Sequence, residues 1–283
     1  MAGGAGIAVM PVTEFQREVL QTIAGNRHEL SHFAGGVVLH AAPDSARFSH
    51  YFDIFHEAAE QVASSSAADS ATLRAAGYAV TPVAGDWAKP GTFRKAVVKR
   101  HAQSVEIDWA ADSAFRFFPV EKDPLLGWRL HLFDFATNKA LALCARSETR
   151  DYVDIVELHR IYPLPAIVWA ACGKDPGFNP LSLLGLMRRF AKIDPAKLHE
   201  IQARQLDPKV LKHAWIEMSE DADAKITRLA DTLPDTPIGV AFVDAAGHPG
   251  WPGDNPGLTI HHPRIRGCLP RVDGLEPEIP RAE

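Results

Sequence analysis

Two short runs of this chain bring together residue types that do chemistry at a defined spacing. The first is His28-Glu29-Leu30-Ser31-His32. Set on a helix, this H-E-x-x-H pattern would put both imidazoles on one face, where they could bind zinc while the glutamate activates a water. Gly35 falls where the extended pattern has a glycine, but the next ligand position, 38, is a valine, and His40 comes two residues late. The apolar spacing ahead of the motif also predicts that its helix ends near Asn26. With 13 histidines in the chain, a chance match is unsurprising. A zinc hydrolase built on His28, Glu29 and His32 therefore stands third among the readings.

The second run starts at Phe33-Ala34-Gly35-Gly36-Val37-Val38-Leu39, which reads as a strand entering a glycine pair and then a short helix. Two glycines there let backbone N–H groups approach a polyphosphate closely. About ten residues on come Arg47 and Ser49, then the strand Tyr51-Phe52-Asp53-Ile54-Phe55 with a carboxylate in it. A later strand carries Glu106-Ile107-Asp108. Carboxylates on adjacent strands give a Mg²⁺–triphosphate the hard oxygen ligands it needs on a rigid support. Read alone, each piece has a structural alternative: a tight strand-to-helix turn for the glycines, a strand-edge carboxylate for Asp53.

Taken in order, these runs resemble the AbiEii/AbiGii-type toxin family of the nucleotidyltransferase superfamily. That family reads approximately F-x-L-A-G-G-T-A-L, then R-x-S-x-D-I-D-[IL]-F, then x-I-D on a later strand, K-x-x-A-L-x-x-R and R-D-x-x-D-x-x-x-L. The last two correspond here to Lys139 through Arg146 and to Arg150-Asp151-Tyr152-Val153-Asp154 through Leu158, so that the likeness spans residues 33–158. It implies a mixed sheet flanked by helices, with NTP and Mg²⁺ at the strand ends. It also implies nucleotidyl transfer to an acceptor, which can be an RNA 3′ end, and a cognate antitoxin as partner. By position, Gly35, Gly36, Arg47, Ser49 and Lys139 would bind nucleotide, and Asp53 and Asp108 would hold the metal. Asp108 is also placed to take the acceptor proton, Lys139 to neutralise the triphosphate, and Asp151 or Asp154 to orient Lys139. Two positions depart from the family. Val37 replaces its hydroxyl residue, and Tyr51 replaces the first aspartate of D-x-D. A neutral phenol is a poor Mg²⁺ ligand. A non-catalytic relative that binds nucleotide, RNA or a protein is therefore the second reading.

The elements that must position these residues can be read from the 283-residue chain, 46% hydrophobic and 23% charged, with a formal net charge of −5. This composition fits one or two globular domains and excludes a chain-wide nucleic-acid-binding face. Cys144, Cys172 and Cys268 are odd in number and widely spaced, which excludes a disulfide framework and fits a reducing, cytoplasmic setting. No basic n-region opens the chain, and no apolar stretch is long enough to span a membrane. The expected class is α/β, or α+β: a nucleotidyltransferase-like domain over 1–160, a helical domain over 161–247 ending in a strand pair around Asp244–Gly247, and an irregular Pro/Gly-rich tail over 248–283. Thr13 and Gln16 form a capping-box signature for a first helix. Helices are also expected over 57–76, with Gly77 closing it, and over 135–145, 150–161, 165–172, 181–191, 195–205 and 208–232. Strands are expected over 78–83, 92–99, 104–110 and 128–133. Arg94-Lys95 and Lys99-Arg100 read as solvated strand charges, with a basic RNA-gripping hairpin as the alternative. Lys139 with Arg146, and Arg150 with Asp154, read equally well as exposed helix charges.

Overall fold

Thr13 caps the first helix in the expected way: its hydroxyl accepts from the Gln16 N–H while the Gln16 side chain accepts from the Thr13 N–H, at 3.1 and 2.9 Å. The computed structural model describes residues 12–41, 45, 47, 49, 51–146, 148–190, 195–201 and 206–270. In chain order the elements are α1 (Glu14–Ala24), β1 (Ser31–Ala34), α2 (Gly36–His40), β2 (Tyr51–His56), α3 (Ala59–Ala75), β3 (Ala79–Ala84), β4 (Phe93–Arg100) and β5 (Gln103–Ala111). They continue as β6 (Phe115–Arg116), β7 (Glu121–Asp123), β8 (Gly127–Arg129), α4 (Leu132–Ala145), α5 (Thr149–His159), α6 (Leu164–Ala171) and α7 (Pro180–Phe190). The last are α8 (Pro195–Glu200), α9 (Pro208–Thr232), β9 (Ala241–Val243), β10 (Pro249–Gly250), β11 (Thr259–His261) and β12 (Arg264–Ile265).

The described residues divide into two compact units. The first holds those up to Asp112 together with Glu121–Arg129. Its seven-stranded mixed sheet runs β3-β4-β5-β2-β1-β8-β7, with β2–β5 and β1–β8 parallel and the other pairs antiparallel. Strict alternation divides each central strand between two faces. Phe33, Phe52, Ile54, Ile107, Trp109, Ala96 and Val98 are fully buried, on the face covered by α1 and α3. Asp69 of α3 pins that layer: it accepts from the Trp109 indole at 2.7 Å and from Asn26 at 2.8 Å, and it pairs with the buried Arg27 guanidinium. The α3 helix ends as expected. Gly77 takes φ +85°, the Gly77 N–H donates to Arg74 O, and the Tyr78 N–H donates to Leu73 O, closing a Schellman motif.

The second unit holds Ser113–Val120, Leu130–Glu200 and the described residues from Leu206. Its helices α4, α5, α6, α7 and α9 pack on one another, with Tyr152 donating to Leu211 O across α5 and α9 at 2.8 Å. The units divide near 112 and 129, where the sequence reading has 160, and α4 and α5 pack with the later helices of the second unit. Three further expectations need correcting. The strand expected over 128–133 stops at Arg129, and Leu132 already begins α4, which His131 caps by accepting from the Phe133 N–H. The expected strand pair around Asp244–Gly247 forms as β9 and β10, but the chain beyond it is not irregular: β11 adds a third strand to them and β12 pairs with β6. The α8 helix ends at Glu200, and 202–205 and 271–283 lie outside the described residues.

Candidate functional site

The site is assembled at the strand-to-helix turn after β1. Gly35 adopts φ +64°, a left-handed conformation that only glycine takes without strain. A second constraint is spatial: a Cβ on Gly35 would lie 1.7 Å from Oδ2 of Asp53. The Asp53 carboxylate is thus seated directly against the glycine backbone. The pairing of Ala34 with Asp53 in the β1–β2 ladder brings this about. At Gly36 a Cβ would lie 2.8 Å from the Arg47 guanidinium and 3.7 Å from the Ser49 hydroxyl. Gly35, Gly36, Arg47, Ser49 and Asp53, singled out in the sequence, are therefore one cluster.

Asp108 joins them through the sheet. The strands β2 and β5 are parallel neighbours, and Asp53 pairs with Asp108 in their register. Direct partners project to the same side of a pleated sheet. The two carboxylates therefore share a face, the one opposite α1 and α3.

That face also carries two groups that were not among the expected site residues. Glu106 pairs with Tyr51, and Lys95 of β4 pairs with Asp108. The Lys95 ammonium lies 3.1 Å from Glu106 Oε2 and 3.3 Å from Asp108 Oδ1. Burial alone would lower the pKa of Lys95, but the two carboxylates outweigh it and the pKa is raised. The signal for Lys95 was present in the sequence. A hairpin turning at His101-Ala102 places 100 opposite 103, and counting back places 95 opposite 108. Its neighbour Arg94 is not a solvated strand charge, as had been expected. It is buried on the other face, donates to Ser66 Oγ at 2.9 Å and lies over Trp87.

Ser49, expected at the nucleotide, is tied into the backbone around it. It is buried, and its hydroxyl donates to Tyr51 O at 2.7 Å while Gln16 donates to Ser49 O at 2.6 Å. These hydrogen bonds hold the entry to β2. The zinc pattern fails on geometry. His28 and Ser31 exchange backbone hydrogen bonds across a tight turn, and His32 lies on β1. His28 and His32 are therefore not one helical turn apart, as the zinc pattern needs. Among the described residues no three His, Cys, Asp or Glu side chains converge on a metal position.

Lys139, Asp151 and Asp154 form a cluster inside the second unit. The Lys139 ammonium lies 2.8 Å from Asp151 Oδ1 and 3.1 Å from Asp154 Oδ2, and Arg146 meets Asp151 at 2.7 Å. All three of Lys139, Asp151 and Asp154 are buried, so Lys139 and Asp154 are not the exposed helix charges of the alternative reading. Burial by itself would raise the pKa of Asp151, but Lys139 and Arg146 more than offset it and hold the carboxyl below its usual range.

A mixed sheet of this order, with a glycine-pair turn leading into a short helix, is a nucleotidyltransferase-like fold, as comparison with solved structures shows. MenT4, a nucleotidyltransferase toxin from Mycobacterium tuberculosis, is 16% identical over 76% of this chain and 85% of its own, with a TM-score of 0.52. Two Helicobacter pylori structures are also similar. JHP933 is 14% identical over 78% of this chain and 94% of its own, with a TM-score of 0.47. A candidate nucleotidyltransferase is 15% identical over 76% and 95%, with a TM-score of 0.48. The fold assignment rests on MenT4. No family model and no curated protein matches the chain. No helix among the described residues is long and apolar enough to cross a membrane.

Proposed function

We propose that the chain is a nucleotidyltransferase of the AbiEii toxin type, moving a nucleotidyl group from an NTP to an acceptor such as an RNA 3′ end, with a cognate antitoxin as its partner. The observation that carries this reading is the in-register pairing of Asp53 with Asp108 beside the Gly35-Gly36 turn. Two carboxylates with substrate phosphates and waters are the donor set that one Mg²⁺ accepts, so the residues present fit the ion. Tyr51 contributes no carboxylate to it. When bound, Mg²⁺ neutralises phosphate charge and polarises the reacting phosphoryl group. The chain's own residues do the rest. Gly35 and Gly36 admit the triphosphate close to the backbone, and Arg47 supplies fixed positive charge at Gly36. Asp108 accepts the acceptor hydroxyl proton. The family resemblance gives Lys139 a charge-neutralising role, and Asp151 and Asp154 hold its ammonium in place.

The test is transfer of radiolabel from each of the four NTPs to total RNA. Wild-type chain should label RNA in a Mg²⁺-dependent way, and Asp53→Asn should not. The non-catalytic reading draws on one observation, Tyr51 at the first aspartate position. Under that reading NTP binds in the presence of Mg²⁺ while no label moves. Restoring the carboxylate with Tyr51→Asp separates the two readings. A rise in turnover with little change in nucleotide affinity supports an impaired transferase, because the added charge acts mainly on the transition state.

A further inference from the structure

The Lys95 ammonium lies 3.3 Å from Asp108 Oδ1, and its placement is more specific than that of a surface ion pair. It stands directly opposite Asp108 in the β4–β5 ladder, and Asp108 stands directly opposite Asp53 in the β5–β2 ladder. Three adjacent strands thus present ammonium, carboxylate and carboxylate at one level of one face. Glu106, two residues before Asp108 and therefore on the same face, closes on the same ammonium at 3.1 Å. The Asp108 side chain is only 16% exposed and that of Lys95 only 26%. Asp53, Glu106 and Asp108 with the Lys95 ammonium together carry two net negative charges. One divalent ion neutralises that. A second would need the charge and the oxygens that Lys95 already engages.

We propose that Lys95 is a positioning residue acting through Asp108, a resident cation that ties Asp108 to Glu106 and takes the charge role of a second divalent ion, so that the site works with a single Mg²⁺. This rests on the nucleotidyl-transfer reading and deepens it. It also accounts for Tyr51: a chain that carries its second cation as a lysine has no use for an aspartate to ligate a second metal. Lys95 touches no reacting atom in this scheme. It fixes the rotamer of Asp108 and keeps Glu106 from competing for the ion. A bound cation this close repels an incoming one, and the repulsion persists where solvent screening is incomplete.

The experiment is a Mn²⁺ titration followed by electron paramagnetic resonance of the free ion, with no nucleotide present, on wild type, Lys95→Met and Lys95→Arg. Lys95→Met should bind Mn²⁺ at least about tenfold more tightly than wild type, since it removes a like charge and frees two carboxylates. Lys95→Arg, which keeps the charge, should stay at the wild-type value. If the Met variant melts well below wild type, Lys95→Gln replaces it and carries the same expectation. A lysine that only braces the two strands, with no ion held at Asp108, would leave the Mn²⁺ affinity unmoved in a folded neutral variant, and that result overturns the proposal. Binding of non-hydrolysable NTP analogues with Mg²⁺ is measured on the same wild-type sample. Analogue binding with an unmoved Mn²⁺ affinity sinks the Lys95 assignment alone. No analogue binding sinks the nucleotidyl-transfer reading, and this proposal with it.

Discussion

Gly35 is held to glycine by two independent constraints, a left-handed φ of +64° and the Asp53 carboxylate lying where a Cβ would be. Gly35→Ala must therefore displace the very carboxylate the site depends on. We expect it to cost about 1–3 kcal/mol in urea unfolding and to weaken Mg²⁺-dependent NTP binding by at least about tenfold. Calorimetric titration of the folded variant checks this, and unchanged binding would show that Asp53 is not needed there. A second residue sets the acid stability of the same strand. His56 is buried on β2, and burial, with the Arg27 charge nearby, lowers its pKa from 6.5 to about 4. Between those values the unfolded chain binds a proton that the native chain does not, so stability rises with pH through that window. The contribution is complete above pH 6.5 and is lost as pH falls toward 4, amounting to on the order of 3 kcal/mol. His56→Leu should flatten the dependence between pH 4.5 and 6.5 that wild type shows in urea melts at stepped pH; a slope unaltered by the substitution would assign it to other groups.

At the level of elements, Asp69 has the most to lose. It joins α3 to β5 through Trp109 and to the turn after α1 through Asn26 and Arg27, and both members of the Arg27–Asp69 pair are fully buried. Breaking a buried pair leaves its partner charged and unsolvated, so Asp69→Ala should destabilise the chain by about 3–5 kcal/mol. The double variant Arg27→Met/Asp69→Ala should recover part of that loss, and thermal melts of both check it. None of this network was legible in advance, because it depends on which helix covers which face. What could be read were features carried by local spacing. The Thr13–Gln16 capping box, the Gly77 stop and the Phe33–Leu39 strand–turn–helix depend on neighbours a few residues apart, and each formed as expected. Elements fixed by distant partners were missed. The short strands β6 and β12 pair across about 150 residues of chain, and the α4–α5 pair sits with later helices for the same reason. The candidate site lies between these cases. Its glycines and aspartates follow a local pattern, but Lys95 becomes visible only once the β4–β5 register is counted, and the hydrogen bond from Ser49 to Tyr51 O only once β2 is built.

For the whole molecule, the charge sets how an RNA acceptor could be held. The chain carries a formal net charge of −5, so any RNA contact must come from local cations. Yet several of the basic side chains on the sheet are already engaged. Arg94 faces α3, Lys95 bridges Glu106 and Asp108, and Arg100 pairs with Glu18 while lying over Tyr78. Arg129, at the other end of the sheet, pairs with Glu121 and Asp123. A hairpin that engages Arg94, Lys95 and Arg100 in this way is a poor continuous phosphate track. Binding of RNA releases counterions in proportion to the phosphates neutralised, and the slope of log affinity against log salt counts them. We therefore expect the KM for an RNA acceptor in the transfer assay to rise only gently with KCl, with a slope equivalent to about one to three phosphates. The KM for NTP, set by Mg²⁺ and the Gly35-Gly36 turn, should respond less still. Steady-state transfer across a KCl series checks this. A slope equivalent to more than about five phosphates would show that this acidic chain grips its acceptor through an extended basic surface, and recognition of a short RNA terminus at the site would then have to be abandoned.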